Sequence, residues 1–372
     1  MIKSKRNSSL ELLRIISMVL IVAHHYAIHG FDRNLLDYNY NKYIIDFLTI
    51  GGKLGVNCFV LISAYFMIES KITLKKLMKL WIEIWFYSIA ILIIFYIWLV
   101  PDNFMSFKVI IKNVFPVIYS QYWFMTNYIV LMILSPYLNK CIKMIGKDTH
   151  QSLILVLTIM WSIVLMLFPK SELGFSLLGW FIFLYIIASY IKLYVHLSLD
   201  YMLHLKRVLI GIAIYFISIL VFNLFGDILN NKFLLKNSVY LANPKSILLL
   251  FISVELLMMF LSMKKWSNKF INIIASATLG VYLIHDNNFV RPYLWKNLLD
   301  NQSMYHSEYL IFHAICSIIL VYIICTIIDL LRQLTIEKLY EIFWNKYGNI
   351  IENKLYFYFY KIKEKVFIFY NK

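Results

Sequence analysis

Ten apolar runs, each about as long as a bilayer-spanning helix, recur along the chain near 10–29, 44–68, 79–100, 122–141, 152–168, 177–196, 207–226, 243–263, 270–290 and 309–330. Lipid offers no partner to backbone N–H and C=O groups, so runs of roughly 18 or more apolar residues are viable there only as helices. The pattern predicts an all-α polytopic integral membrane protein with about ten transmembrane helices. Composition agrees: 61% of the residues are hydrophobic and 15% charged, where soluble domains carry about 25% charged residues. No separate soluble domain fits between the runs.

The formal charge of +16 raises nucleic acid as a partner, but Lys and Arg gather in the breaks between runs, as in a chain oriented against an anionic lipid surface. In the ten-run layout one side collects Lys3, Lys5 and Arg6; Lys71, Lys75, Lys76 and Lys79; Lys140, Lys143 and Lys147; Lys192, Lys206 and Arg207; Lys264, Lys265 and Lys269; and eight more after residue 330. The other side holds Arg33, Lys42, Lys108, Lys112, Lys170, Lys232, Lys236, Arg291 and Lys296, with Arg14, Lys53 and Lys245 in or beside runs. This alternation puts both termini in the cytoplasm. Odd-numbered spans then run outward and even-numbered spans inward.

Residues 1–9, MIKSKRNSS, resemble the basic start of a signal peptide, but no small-residue cleavage site follows and the first run reads as an uncleaved span. The four cysteines form no CxxC pair and no cluster with histidine, which argues against a disulfide framework and against a metal site. The chain divides into a transmembrane region, 1–330, and a basic aromatic tail, 331–372, which alternates Lys and Glu with aromatic residues (KLYFYFYKIKEKVFIFY) and is expected on the inner membrane surface.

The first run departs from a plain anchor, because it contains Glu11, Arg14, His24 and His25. An arginine deep in a bilayer helix costs roughly 2.5–3.5 kcal/mol on insertion scales and is normally paired or functional. Eleven residues at about 100° each return to the same face within about 20°, with a rise of about 16 Å. Arg14 and His25 therefore share one face, the first toward the cytoplasm and the second toward the outside, while His24 points elsewhere. His285 in GVYLIHD and Trp123 in QYWFMTNY fall at a depth similar to His25.

Each of these residues has a structural and a functional reading. His25 is either a helix-end histidine at headgroup level or a base able to take a proton from a hydroxyl. Arg14 either pairs with Glu11 at i, i+3 or grips a phosphate with its planar fork of donors. His285 pairs with adjacent Asp286 or is a loop-edge histidine, and Trp123 can be an interfacial belt residue. Glu83 and Glu255 are carboxylates inside runs able to neutralise Arg14 or Lys53. Gly51, Gly52, Gly55, Ser63 and Ala64 favour close helix packing, with a backbone break at a cavity as the alternative. No phosphate loop, GxSxG elbow, HExxH motif or SxxK pair is present.

Four segments, in order, resemble the membrane acyltransferase 3 family. ELLRIISMVLIVAHH is similar to the family's opening helix, in which an arginine is followed after ten residues by a histidine regarded as catalytic, here Arg14 and His25. GVNCFVLISAYFMI resembles the Gly-Val-Asp-x-Phe-Phe-x-x-Ser-Gly stretch, YWFMTNYIVLMILSPYLNK the Trp-Phe segment ending in Pro-x-Leu, and LGVYLIHDNNFVRPYLW the late Tyr-Leu-x-His segment. The departures are Asn57 where many members carry Asp, Ala64 where Gly is usual, and Lys79 with Trp81 where Arg and Pro are common. Asn57 cannot ionise, so any acid role of that position is absent here.

The resemblance implies a bacterial plasma-membrane enzyme moving an acetyl or other short acyl group from acetyl-CoA, or another acyl-CoA, to a hydroxyl of a cell-surface or lipid-linked glycan. It implies no bound cofactor. His25 would be the catalytic base or acyl carrier, with Arg14, Glu11, Asn57, Trp123 and His285 at the donor or substrate. Lacking the extracytoplasmic hydrolase-like domain of some members, the chain would acylate its acceptor directly or hand the group to a separate extracytoplasmic transferase. The reading from another class is a glycan flippase, transporter or polymerase, whose buried charges would bind a polar substrate without covalent chemistry.

Overall fold

The computed structural model describes residues 7–32, 39–98, 106–197 and 200–368; Lys3, Lys5, Arg6, Arg33 and Lys372 of the charge count lie outside them. Among the described residues the chain is helical with no strand. The first half comprises α1 (Ser8–His29), α2 (Tyr40–Leu48), α3 (Ile50–Met67), α4 (Leu74–Trp98), the short α5 (Phe107–Val114), α6 (Trp123–Met144) and α7 (Gly146–Thr158), which passes through a π turn into α8 (Leu165–Leu167). The second half comprises α9 (Leu177–Tyr194), α10 (Tyr201–Ile228), α11 (Lys232–Lys236), α12 (Ile247–Ser262), α13 (Lys269–Ser276), α14 (Thr278–His285), α15 (Val290–Pro292), α16 (Leu310–Arg332) and α17 (Lys338–Ile368).

Eight helical segments of the described residues are long and apolar enough to cross a membrane. The two further runs read from the sequence are also helical but differ in character. α6 carries Asn127, Asn139, Lys140 and Lys143 and an internal Pro136, and Lys269–His285 is a shorter apolar stretch broken at Ala277 between α13 and α14. The protein is thus a multi-pass membrane protein of all-α class.

α1 is the central helix. Asn7 caps it, its Oδ1 accepting from the Ser9 N–H at 3.2 Å, which satisfies one of the orphan donors of the first turn. The Ser8 N–H donates to the Trp266 carbonyl at 2.9 Å, tying the start of α1 to the break before α13. α3 crosses α1 closely, because a Cβ at Gly51 would strike the Leu20 carbonyl and one at Gly55 the Ser17 carbonyl. Backbone oxygens cannot rotate aside, so only small residues permit this approach. The packing reading of the glycines therefore holds, and a backbone break is present beside it at Thr49. There the His24 Nδ1–H donates to the Thr49 carbonyl at 2.8 Å, and Tyr215 of α10 bonds the Thr49 hydroxyl at 2.9 Å. His24 thus has a structural contact off the face of His25.

α2 is held by a buried ion pair. Lys42 Nζ donates to Asp46 at 2.7 Å, to Asn223 at 2.6 Å and to Ser238 at 3.1 Å, linking α2 to α10 and to the turn after α11. A buried charge persists only when its partners replace water in this way. α16 continues through a π-helical turn, Gln333–Glu337, into α17.

Candidate functional site

The C-terminal ends of α1 and α14 meet at His25 and His285. α14 ends at His285, and its last turn is held by Tyr122 at the start of α6: the tyrosine hydroxyl donates to the Leu283 carbonyl at 3.1 Å and accepts from Asn287 Nδ2 at 2.7 Å. A carbonyl at a helix C-terminus lacks an intrahelical donor, so this bond fixes the segment carrying His285.

His25 Nδ1 and His285 Nε2 lie 2.9 Å apart, and His285 Nδ1 lies 2.5 Å from the Val281 carbonyl. A carbonyl only accepts, so the neutral His285 carries its proton on Nδ1 and its Nε2 is an acceptor. The proton in the shared contact then belongs to His25 Nδ1, which leaves His25 Nε2 with an open lone pair. A backbone carbonyl thus sets the tautomers of both rings. His25 is 8% exposed and His285 fully buried.

Asp286 does not pair with His285, the sequence-adjacent partner considered for it. Its Oδ1 lies 2.8 Å from Arg291 NH2 and faces His25 Nδ1 at 3.6 Å and His29 Nε2 at 3.8 Å. His25, His29 and Asp286 bring three donor atoms within 4.8 Å of one another. Arg291 already holds the carboxylate, so a cation there would compete with a guanidinium. Trp123 heads α6 with Lys53 Nζ 4.8 Å from its ring centroid, a cation–π contact at the N-terminal end of that helix.

Toward the N-terminal end of α1, Arg14 NH1 donates to both oxygens of Glu11 at 2.8 and 2.9 Å, and its side chain remains 27% exposed. Both line a cavity of about 500 Å³ between α1, α3, α4, α6, α13, α14 and the α16–α17 junction, a size typical of small-molecule sites. From Arg14, Lys79 and Glu337 at one end it reaches Ile21, Phe124 and Tyr282 at the other. Ile21 precedes His25 by four residues and Tyr282 precedes His285 by three, so at about 1.5 Å per residue the cavity ends about 5–6 Å, one helical turn, below the histidine pair.

Asn57 faces a different neighbour: its Oδ1 accepts from Trp180 Nε1 at 3.0 Å, and its buried Nδ2 has no hydrogen-bond partner among the described residues. Glu83 and Glu255 do not neutralise Arg14 or Lys53. Glu83 pairs with Arg332 at 3.0 Å; Glu255 pairs with His204 at 2.6 Å and Arg207 at 3.3 Å. Arg332, counted from sequence only as a basic tail residue, is buried and also bonds Asp329 at 2.7 Å, and a Cβ at Gly280 would collide with the Asp329 carboxylate. His29, not singled out from sequence, was legible as the residue one turn beyond His25.

No curated protein and no solved structure matches the chain. A family model described as an acyltransferase domain matches residues 7–330, the span that contains every helix of the cavity wall but the last. With most of its length covered, the chain belongs to the acyltransferase 3 family.

Proposed function

We propose that this acyltransferase accepts an acyl group from acyl-CoA entering the inner cavity and delivers it to a hydroxyl of a cell-surface or lipid-linked glycan at the outer side of the bacterial plasma membrane. The observation that carries the reading is the cavity that begins at Arg14 and ends one turn below His25 and His285. Arg14 has guanidinium donors beyond the two bonds of NH1 to Glu11, suited to a phosphate of the donor. Trp123 and Lys53 lie where the outer substrate would approach.

In direct transfer, His25 Nε2 takes the hydroxyl proton while that oxygen attacks the thioester carbonyl. The C–S bond then breaks, and the proton passes to the departing thiolate, so the reaction releases an ester and free CoA with no net proton. In a relay, Nε2 itself attacks the thioester carbonyl and the C–S bond breaks, giving CoA thiolate and an acylimidazolium that keeps its Nδ1–H toward His285. The hydroxyl then takes the acyl group, the N–C bond breaks to restore neutral His25, and the hydroxyl proton neutralises the thiolate. Asp286, near His25 Nδ1 in both routes, stabilises positive charge on that ring. The tail, with its lysines and aromatics, would follow the inner leaflet.

Sealed vesicles test the sidedness. Radiolabelled acetyl-CoA offered to the cytoplasmic face should label glycan held on the other face, and the same donor offered only outside should not. Glycan that crosses the vesicle membrane without gaining label would instead support the flippase or transporter reading.

A further inference from the structure

The inner end of the cavity is lined by Arg14, Lys79 and Arg332, and each is met by a carboxylate of this same chain: Glu11, Glu337 and Glu83. Two of those acids are part of the scaffold. Glu11 stands one turn from Arg14 on α1, and Glu83 is buried against an arginine that Asp329 also holds. Glu337 is placed differently. It closes the π-helical turn between α16 and α17, in contact with Lys79 and 3.6 Å from Arg332 NH1. Its side chain is 22% exposed and that of Lys79 40% exposed.

A π turn interrupts regular helical bonding and recurs where a helix has to adapt to function. Beyond it α17 rests on α4 through Lys75 and Glu341 at 2.5 Å and through the Tyr340 hydroxyl on the Lys75 carbonyl at 2.7 Å. From 353 to 365 its side chains are exposed. An ammonium is a compact charge on a flexible stem and changes partners readily, and a phosphate brings more charge and more acceptor oxygens than a carboxylate.

We propose that Glu337 is an internal competitor for the anionic donor, holding Lys79 while the cavity is empty and releasing it when the phosphates of acyl-CoA enter. The docking of α17 then sets the affinity for the donor, and by reciprocity the donor loosens α17. This rests on the reading that acyl-CoA occupies the inner cavity.

The test is isothermal titration of CoA into the full-length protein in nanodiscs, as wild type, Glu337→Gln, Lys79→Gln and the double variant. Glu337→Gln should lower Kd about three- to fivefold, the range of a partly exposed ion pair, Lys79→Gln should raise it, and the double variant should match Lys79→Gln. An unchanged or raised Kd in Glu337→Gln overturns the proposal. A second measurement needs no variant: CoA should speed limited proteolysis of α17 in wild type, and an unchanged cleavage rate in the presence of bound CoA overturns it equally. If wild type binds no CoA at all, the donor reading fails and this inference falls with it; if CoA binds but neither Kd nor cleavage responds, the inference alone fails.

Discussion

Removing the acceptor that His285 presents to His25 separates orientation from binding. In His285→Leu the Val281 carbonyl keeps its intrahelical partner, but the His25 Nδ1–H loses an acceptor 2.9 Å away. Asp286 Oδ1 stands at 3.6 Å, too long to replace it. A buried donor left without a partner costs about 1–3 kcal/mol, or about five- to 150-fold in an equilibrium between tautomers or ring orientations. The competent form, with its lone pair on Nε2, should fall by that factor, and kcat with it. KM for acyl-CoA should hold, because His285 does not line the inner cavity. His285→Gln, whose amide oxygen can accept the same proton, should recover much of the loss. The assay is initial-rate acetyl transfer in vesicles at matched protein level. A kcat for His285→Leu within twofold of wild type, or a loss expressed wholly in KM, would refute the tautomer argument.

Other consequences follow from the same contacts. Arg14→Gln should raise KM for acyl-CoA about tenfold with a smaller change in kcat, as loss of a charge-assisted phosphate contact requires; kinetics at varied donor concentration read this directly. Gly55→Val should lower the melting temperature and the amount of folded protein in the membrane, since a side chain there overlaps the Ser17 carbonyl at a cost of about 1–3 kcal/mol; detergent thermal-shift measurements check it. Lys42→Met breaks the buried pair with Asp46 and the ammonium bonds to Asn223 and Ser238 and should destabilise by about 3–5 kcal/mol, read as a lower melting temperature, whereas Lys42→Met with Asp46→Leu should recover a large part of that loss.

The helical class, the placement of the ten runs and the shared face of Arg14 and His25 were legible in the sequence, because hydrophobic run length and helical period are local properties. The breaks were not: the apolar pattern runs straight through Thr49 and Ala277, and what opens the helix at Thr49 is held by His24 and Tyr215, remote in sequence. Partner choice failed for the same reason. Glu83 found Arg332, 249 residues away, and Glu255 found His204 and Arg207 on α10, pairings that depend on which helices become neighbours. Asp286 beside His285 illustrates how adjacency misleads: the two do not pair with each other, His285 bonding Val281 and His25 while Asp286 bonds Arg291. The meeting of His25 with His285 was legible only as similar depth; the hydrogen bond between them required the fold.

The central claim is that His25 carries acyl transfer to a surface glycan. Its most direct test is the O-acetyl content of surface polysaccharide, by NMR, from cells expressing wild type, lacking the gene, or expressing His25→Ala at equal membrane level. The account predicts loss of the acetyl signal in both altered strains with polymer still made and exported. Acetylation that persists in His25→Ala, or polymer that is missing while acetylation is intact, would contradict it.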